Sequence, residues 1–234
     1  MQRVHILLTG SSRGIGAAIA SALDDPAVSL AGHGTQSGIA ADFAELGAAA
    51  HLWAEALDAL DGRVDVLVNN AGVFEATPID LPDDEWLAGW ERTMRINLTA
   101  AAELSRLAVR HWRADARGGR LVNVASRAAY RGDSPAHWHY AASKAGMVAM
   151  TKTIARGYAA DGILAFAVCP GFTMTGMAED YLASRGGDKL LADIPLGRVA
   201  QPEEVAAAVR FLSLEAPASM TGAVIDVNGA SYVR

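Results

Sequence analysis

The sequence predicts an α/β fold built on a doubly wound parallel sheet. Short apolar runs of strand length alternate with longer segments of helical period, and this alternation is typical of a parallel sheet covered by helices. The apolar runs are nearly continuous in Val, Ile and Leu, as expected for strands that are buried on both faces. Helices should therefore cover both sides of the sheet.

The predicted strands and helices follow in chain order. Apolar runs predict strands at VHILLT (4–9), VDVLVNN (64–70), GRLVNVAS (119–126), ILAFAVCP (163–170) and AVIDVN (223–228). Helical period predicts helices over 14–24, 43–60, 84–113, 138–159 and 203–213. The last helix has a clear start, because proline at 202 suits a first turn and the carboxylates of Glu203 and Glu204 stabilise the positive end of the helix dipole.

The chain of 234 residues is long enough for one domain with a sizeable core. It shows no internal repeat, low-complexity tract or linker, so residues 1–234 are predicted to form a single domain. The least regular part is the Gly- and Met-rich stretch at about 172–195. We expect this stretch to be a lid over the substrate.

Composition excludes several classes of partner. The net charge of -6 and the absence of a Lys/Arg run argue against nucleic acid. The single cysteine, Cys169, cannot form an internal disulfide, and no secretory signal is apparent. Apolar runs stop far short of the roughly 20 residues that cross a bilayer. A cytoplasmic protein with a small-molecule substrate is expected.

A glycine-rich turn, TGSSRGIG (9–16), directly follows the first strand and opens the first helix. Gly10 permits a tight turn, Gly14 lets the backbone approach a pyrophosphate, and Gly16 allows close helix packing. No Lys follows these glycines, which excludes a nucleoside-triphosphate loop of the GK[ST] type. The pattern predicts a dinucleotide site; a glycine-rich turn without a ligand is the alternative.

The segment HWHYAASKAGMVAM (137–150) places Tyr140 and Lys144 one helical turn apart on the same face. A tyrosine of pKa near 10 needs a shift of roughly three units to exchange protons at neutrality, which takes about 4 kcal/mol. One positive charge about 4 Å away supplies that much at an effective dielectric near 20. We therefore expect Lys144 to lower the pKa of Tyr140, unless the pair merely belongs to an amphipathic surface helix.

Four further motifs follow along the chain. NNAG (69–72) ends the strand VDVLV, Asn97 lies in RINLTA, Ser126 ends NVAS, and PGFTMT (170–175) follows the strand ILAFAVC. With the glycine turn and YAASK, this set resembles the short-chain dehydrogenase/reductase family over nearly the whole chain. The YAASKAGM and PGF segments look most like 3-oxoacyl-[acyl-carrier-protein] reductases. The resemblance implies a Rossmann-type sheet.

The resemblance also implies a catalytic set of four residues. Tyr140 would give a proton to a carbonyl oxygen while a nicotinamide delivers hydride to its carbon. Ser126 would hydrogen-bond the same oxygen. Lys144 would hold the nicotinamide ribose, and Asn97 would fix a water that relays protons, although Asn97 bonding only to helix backbone is an alternative. Ser126 is a poor hydrolase nucleophile, because VASRA lacks the G-x-S-x-G elbow.

The glycine turn and the resemblance together assign the cofactor-binding residues. They are Gly10, Ser12, Arg13, Gly14, Ile15, Gly16, His33, Asp42, Phe43, Asn70, Ala71, Gly72, Tyr140, Lys144, Pro170, Gly171, Thr173 and Thr175. NADP is favoured over NAD, since residues 28–38 contain no Asp or Glu to bond a ribose 2′-hydroxyl, and Arg13 and His33 can reach toward a 2′-phosphate.

The loop before Tyr140 is expected to contact the substrate. Ser126 and Tyr140 are 14 residues apart, about one more than is usual in the family, and Ser134 is a spare hydroxyl in that loop. The expected substrate residues of the loop and lid are Tyr130, His137, Trp138, His139, Met174 and Met177. No carboxylate or cysteine cluster accompanies the two histidines, so no metal site is predicted.

The chain is short between the first helix and NNAG. VSLAGHG (28–34) predicts the second strand, and Asp42 stands where the family keeps an acidic residue that meets the adenine, followed by Phe43. Too few residues remain for the dozen or more of a usual parallel crossover. We predict that the helix between the second and third strands is missing, that the third strand is very short and that the adenosine pocket is open.

The expected function is that of an NADP-dependent carbonyl reductase or alcohol dehydrogenase. An NAD-linked sugar or small secondary-alcohol dehydrogenase is an alternative, as is a regulatory nucleotide-binding module without catalysis. The family resemblance, which extends to the ending MTGAVIDVNGASYVR (220–234), implies a homo-oligomer, a tetramer or a dimer, assembled through the long helices and the C-terminal strand.

Overall fold

Seven strands form one parallel sheet in a computed structural model that describes residues 3–175 and 191–234. The strands are β1 Val4–Leu8, β2 Val28–Gly34, β3 Ile39–Ala40, β4 Val66–Asn69, β5 Gly119–Val124, β6 Ile163–Pro170 and β7 Val224–Val227. Their order is β3-β2-β1-β4-β5-β6-β7, and all neighbouring pairs are parallel. The order reverses between β1 and β4, where a doubly wound sheet opens a crevice for a ligand. The predicted fold class is confirmed.

The described helices lie on both sides of the sheet. They are α1 Gly14–Ala22, α2 Ala48–Ala59, α3 Asp83–Met94, α4 Ala100–Asp115, α5 Ala128–Arg131, α6 Trp138–Tyr158 and α7 Pro202–Leu214. The stretch predicted as one helix over 84–113 is interrupted, because a π-helical turn, Arg95–Thr99, joins α3 to α4. A reciprocal capping box between Gln201 and Glu204 begins α7.

Alternate side chains of each central strand enter two different cores. In β1, Leu7 packs with Leu52 of α2 and Leu104 of α4 on one face. Ile6 packs with Val209 of α7 on the opposite face. Because both faces are buried, the strands need apolar residues at every position, which explains their continuous hydrophobic runs.

Residues 35–38 connect β2 to β3 without a helix. The third strand pairs over two residues only, with His33 opposite Ile39 and Gly34 opposite Ala40. The tight return requires glycine at 38, where φ is +62° and a Cβ would lie 2.2 Å from the carbonyl oxygen of Gly32. The structure thus has the predicted missing helix and short strand.

The second helix begins later than predicted, at Ala48 instead of residue 43. The Asp42 carboxylate accepts a hydrogen bond from the Ala44 amide at 2.9 Å, which forms a side-chain turn. Gly47 then takes a left-handed conformation with φ of 82° immediately before the helix. These two local features delay the helix by five residues.

Most of the predicted lid, and with it Met177, lies outside the described residues. Within 3–175 and 191–234, no helix is long and apolar enough to span a membrane. Those same residues contain no group of three or more His, Cys, Asp or Glu side chains arranged to hold a metal ion.

Candidate active site

The glycine-rich turn at the end of β1 has the geometry that its glycines allow. Gly10 has φ of +67°, and a Cβ there would lie 2.8 Å from the Cα of Ala71. A Cβ on Gly16 would lie 1.8 Å from the carbonyl oxygen of Gly10. Gly14 has φ of +52° and faces Thr175, whose Cγ2 would be 3.0 Å from an added Cβ. Side chains at these positions would push apart the turn, α1 and the loop after β4.

The NNAG segment holds this turn by side-chain hydrogen bonds. The Thr9 hydroxyl accepts from the amides of Asn70 and Ala71, at 2.9 and 3.0 Å. The Asn70 amide group donates to the carbonyls of Thr9 and Gly10, at 3.1 and 3.0 Å. Thr9 was not among the predicted residues, although a polar residue ending an apolar strand at a glycine turn was a usable signal.

The loop after β6 closes against the same turn. The Pro170 carbonyl accepts from the Arg127 amide at 2.9 Å, and Gly171 packs on Asn228 with room for no Cβ. The Thr173 hydroxyl donates to the Gly171 carbonyl at 3.2 Å. With Thr175 against Gly14, the predicted residues 170–175 lie beside the glycine-rich turn.

Three of the predicted catalytic residues come together at the end of β5. Tyr140 lies in the first turn of α6, and its phenol lies close enough to the Ser126 hydroxyl for this group to counteract the rise in the Tyr140 pKa. The Ser126 hydroxyl oxygen also accepts from the Ala128 amide at 3.1 Å. One turn along α6, the Lys144 ammonium lies 5.8 Å from the centre of the Tyr140 ring. It donates to the Val124 carbonyl at 2.9 Å.

The pKa values differ from the expectation. Burial raises the pKa of Tyr140 to about 12, against the opposing effect of the Ser126 hydrogen bond. Burial lowers the pKa of Lys144 to about 8. The expected lowering of the Tyr140 pKa by Lys144 was wrong for this structure, because desolvation of the phenol is the largest influence on its pKa.

Asn97 anchors the loop that follows NNAG. It is fully buried in the π-helical turn between α3 and α4. Its Oδ1 accepts from the Val73 amide at 2.8 Å, and its Nδ2 donates to the Val73 carbonyl at 2.9 Å. A Cβ on Gly72 would lie 3.2 Å from Asn97 Oδ1 and 3.5 Å from Lys144 Nζ. The loop therefore passes between Asn97 and Lys144, and Asn97 bonds to this loop instead of to helix backbone.

An aromatic pair lies beside Tyr140. Phe74 stacks on His137 with centroids 3.9 Å apart, and its ring meets Tyr140 edge-on at 4.8 Å. The His137 ring nitrogen Nδ1 is 2.7 Å from the Ser134 hydroxyl, and burial lowers the pKa of His137. His137 thus lies in the site as predicted. Phe74 was missed; its place just after NNAGV was the only signal.

Trp138 and His139 turn away from Tyr140 toward α3. The Trp138 ring meets Trp86 edge-on at 6.3 Å, and His139 Nε2 is 2.8 Å from the Thr77 hydroxyl. The four side chains surround a small cavity with Trp90. Trp138 and His139 therefore line this cavity beside α3, and their contact with the substrate stays a prediction.

Tyr130 contacts the C-terminal segment of the chain. Its ring stacks on Tyr232 at 5.7 Å, and the Arg234 guanidinium lies 4.7 Å from its centre. The Arg234 guanidinium donates to the Tyr130 hydroxyl at 3.0 Å. Tyr130 therefore belongs to the C-terminal cluster beside β7. Met174 packs with Ile194 in a small apolar group. Contacts of Tyr130 and Met174 with the substrate stay predictions.

The residues expected around the adenosine divide into buried and exposed ones. His33 is 3% exposed and both of its ring nitrogens bond to backbone, so the prediction that it reaches a 2′-phosphate was wrong. Phe43 is buried and stacks on His33 at 4.5 Å. Ser12, Arg13 and Asp42 are exposed. Ile15, in the first turn of α1, packs against the core.

Comparison with known proteins agrees with this geometry. A family model described as Enoyl-(Acyl carrier protein) reductase matches residues 10–230. The 3-oxoacyl-[acyl-carrier-protein] reductase of Synechocystis sp. is 37% identical, over 95% of this chain and 94% of its own length. The D-threitol dehydrogenase of Mycolicibacterium smegmatis is 33% identical, over 97% of this chain and 92% of its own.

Solved structures match as well. A putative 2-deoxy-D-gluconate 3-dehydrogenase from Agrobacterium tumefaciens with bound NADP has a TM-score of 0.88 and 28% identity, over 100% of this chain and 98% of its own. A putative NAD(P)-dependent gluconate 5-dehydrogenase from Beutenbergia cavernae with bound NADP has a TM-score of 0.88 and 30% identity, over 99% and 97%. With the family model and the relatives, these matches show that the chain belongs to the short-chain dehydrogenase/reductase family of NAD(P)-dependent oxidoreductases.

Proposed function

We propose that this protein is an NADP-dependent oxidoreductase that interconverts a carbonyl compound and a secondary alcohol, with Tyr140 as general acid and base. One observation carries the proposal. Tyr140 and the neighbouring Ser126, with Lys144 one helical turn away, lie at the carboxyl edge of the same sheet as the glycine-rich turn. A proton donor and a dinucleotide site thus share one edge of the sheet.

The residues at the switch point fit a dinucleotide. Gly14, which carries no side chain, lies at the N-terminus of α1, where the helix dipole favours a phosphate. The exposed Arg13 precedes it and would hold a 2′-phosphate. Gly34 lets two hydroxyls approach the end of β2, because a Cβ there would lie 2.6 Å from the Ser37 hydroxyl and 3.4 Å from that of Ser12. These hydroxyls and Arg13 replace the acidic residue that selects NAD. The NADP in both solved relatives supports the same choice.

The chemistry that a bound dihydronicotinamide supplies is hydride transfer to a carbonyl carbon. Tyr140 donates the proton that the carbonyl oxygen needs, and its pKa of about 12 keeps the donor form fully populated at neutral pH. Ser126 lies beside the phenol and is placed to donate to the same oxygen as charge develops there. The raised pKa keeps the phenol protonated at neutral pH, which is the form that the reducing direction requires.

Lys144 and Asn97 support Tyr140 in this proposal. With a pKa of about 8, Lys144 is largely protonated at pH 7 and stabilises the phenolate that remains after proton donation. It also lies beside Gly72, where it would hold the ribose of the dinucleotide. Asn97 fixes the loop next to Lys144 through Val73. The water that the family resemblance assigns to Asn97 would lie on this side of the loop.

The substrate class follows from the relatives and from the aromatic wall. Several relatives are 3-oxoacyl-[acyl-carrier-protein] reductases, and we propose a 3-oxoacyl group as the substrate. The stacked Phe74 and His137 give the tyrosine an apolar, uncharged neighbour, which suits an acyl chain better than a sugar acid. The polyol and sugar dehydrogenases among the relatives make a small secondary alcohol the second candidate.

Turnover of a 3-oxoacyl thioester with NADPH, followed by absorbance, tests the proposal. Tyr140→Phe should reduce kcat at least a thousandfold and leave NADPH affinity nearly unchanged, whereas Tyr158→Phe at the other end of α6 should behave as wild type. Retained turnover in Tyr140→Phe would refute the mechanism. A lower Michaelis constant for NADH than for NADPH would refute the cofactor choice. Silence with a panel of ketones and alcohols would favour a regulatory nucleotide-binding module.

The proposal also includes the oligomeric state and the cellular location of the protein. A homo-oligomer, a tetramer or a dimer, is expected from the family, and sedimentation would count its subunits. A cytoplasmic location and a lid at about 172–195 within a single domain remain parts of the proposal. Cell fractionation and limited proteolysis would test them.

A further inference from the structure

His33 connects two parts of the dinucleotide site through its imidazole ring. Its Nδ1 lies 3.1 Å from the Gly10 amide, and its Nε2 lies 2.9 Å from the Ala41 carbonyl. An amide can only donate and a carbonyl can only accept, so the ring must be neutral with its proton on Nε2. The structure therefore fixes both the charge and the tautomer of His33.

Further contacts hold the same residue in place. The His33 carbonyl accepts from the Ser11 amide at 2.8 Å and from the Ser11 hydroxyl at 3.1 Å. The face of the ring stacks on Phe43 at 4.5 Å with an interplanar angle of 24°. His33 thus contacts the glycine-rich turn on one side and residues 41–43 on the other.

These contacts occur where the chain has lost its crossover helix. Residues 35–38 return directly to a third strand of two residues, so backbone pairing gives segment 41–43 little support. The ring of His33 spans the gap between this segment and the turn at Gly10. The buried His33 side chain therefore holds together two segments that a packed crossover helix would otherwise support.

We propose that His33 is a positioning residue for the dinucleotide: its neutral ring holds the Gly10 amide and the Ala41 carbonyl and so sets the spacing between the phosphate-binding turn and the adenosine-binding segment. The inference rests on the proposed cofactor binding. It assigns His33 no contact with the cofactor. The residue acts through Gly10 on the phosphate side and through Ala41 and Phe43 on the adenosine side.

Protonation would break this arrangement. A proton on Nδ1 would face the Gly10 amide donor, and both groups would lose their partner inside the protein. Burial lowers the pKa of His33, which keeps the ring neutral at physiological pH. The elements that pack around His33 are the glycine-rich turn, the 41–47 segment, α2 and β1. Their ionisable side chains are Arg13, Asp42, Glu45, His51, Glu55, Asp58 and His5. All of these are exposed except His5, which lies at the far end of β1.

Two conservative variants separate the two hydrogen bonds. Asparagine places an oxygen near the position of Nδ1 and can still accept from Gly10, whereas glutamine places its amide nitrogen near Nε2 and can still donate to Ala41. We expect NADPH affinity, measured by calorimetry at pH 8, to fall roughly fivefold to tenfold in His33→Gln and by less in His33→Asn, given the usual net value of one hydrogen bond. His51→Asn, on the exposed side of α2, is the matched control and should bind as wild type.

A second readout needs no cofactor. Nitrogen NMR of the free protein should show the His33 ring as the Nε2-protonated tautomer at pH 7, and hydrogen exchange at the Gly10 amide should accelerate in His33→Gln but not in His33→Asn. A ring protonated on Nδ1, or Gly10 exchange unaffected by both variants, would overturn the proposal. If the NMR results hold while wild-type protein binds no NADPH, the proposed cofactor is wrong and the positioning role for a dinucleotide falls with it.

Discussion

Gly16 packs so closely on the carbonyl oxygen of Gly10 that a Cβ at residue 16 would lie 1.8 Å from it. Gly16→Ala must therefore separate α1 from the phosphate-binding turn. We expect NADPH affinity to fall at least a hundredfold and the free energy of unfolding to fall by about 2–3 kcal/mol, as for other overpacked sites. Calorimetry and urea denaturation would measure the two effects.

The control for this prediction is Gly157→Ala in α6, where an added Cβ meets nothing within 4 Å. Alanine favours a helix over glycine by up to about 1 kcal/mol. Gly157→Ala should therefore leave binding unchanged and stabilise the protein slightly. Equal effects of the two substitutions would contradict the packing argument.

Asn97 accepts a hydrogen bond from Val73 through its amide oxygen and donates one to Val73 through its amide nitrogen. Substitution by Asp and by Ser should therefore have different effects on stability. In Asn97→Asp one carboxylate oxygen still accepts from the Val73 amide, but the other faces the Val73 carbonyl oxygen. We expect a loss of about 2–4 kcal/mol in the free energy of unfolding, since a buried carboxylate oxygen would face the Val73 carbonyl oxygen with repulsion in place of a hydrogen bond. Asn97→Ser should cost less. Urea denaturation at pH 8 measures both, and an equal cost would argue against the observed pairing.

Lys144 makes the stability of the protein depend on alkaline pH. Its pKa falls from 10.5 in the unfolded chain to about 8 in the folded protein. Between these values the unfolded chain binds more protons, so the free energy of unfolding rises with pH from 8 to 10.5. This contribution is absent below pH 8 and reaches on the order of 3 kcal/mol at its upper end.

Lys144→Met removes that titration. Relative to this variant, wild-type protein should therefore gain stability as pH rises from 7 to 9.5, measured by denaturation at each pH. Lys152→Met, on the exposed side of the same helix, should show no such divergence. A difference between wild type and Lys144→Met that stays constant with pH would contradict the lowered pKa. Lys144→Met should also lose turnover, because the ammonium beside Tyr140 is gone.

Much of the architecture was readable from periodicity and turn residues. Strands buried on both faces give continuous apolar runs, and the few residues between VSLAGHG and the third strand left no room for a crossover helix. Helix boundaries were less readable, since the delay of α2 depends on the Asp42 turn and the left-handed Gly47. No sequence pattern marks the π-helical turn at Asn97.

Side-chain contacts between distant parts of the chain were the hardest feature to predict from the sequence. His33 was assigned to a phosphate because histidine at a strand end can be a cation. In the structure its ring is buried and neutral, and it hydrogen-bonds to the backbone of Gly10 and Ala41. Tyr130 was assigned to the substrate by its place in the loop. Its hydroxyl accepts a hydrogen bond from Arg234, which lies more than a hundred residues later in the chain. Such long-range partners leave no local signal.

Phe74 is predicted to determine how well the substrate is held beside Tyr140. Its ring contacts both His137 and Tyr140, and aromatic pairs contribute about 0.5–1.5 kcal/mol each beyond buried area. Phe74→Ala should lower kcat/KM for a 3-oxoacyl substrate by roughly tenfold, with NADPH affinity unchanged. Phe74→Leu should lose less. The exposed Ile79 offers a control, and Ile79→Ala should match wild type in steady-state kinetics.

Arg13 is predicted to select NADP over NAD. Its side chain is exposed at the start of α1, and no acidic residue stands at the end of β2. A charge-assisted hydrogen bond to a phosphate contributes about 1.5–3 kcal/mol. Arg13→Ala should therefore weaken NADPH at least tenfold while leaving NADH affinity within a factor of about two. Arg117→Ala, in the exposed loop after α4, should leave both affinities unchanged. Calorimetric titration of each variant with each cofactor gives the ratio directly, and an equal loss for NADPH and NADH would mean that Arg13 contacts the shared part of the cofactor instead of the 2′-phosphate.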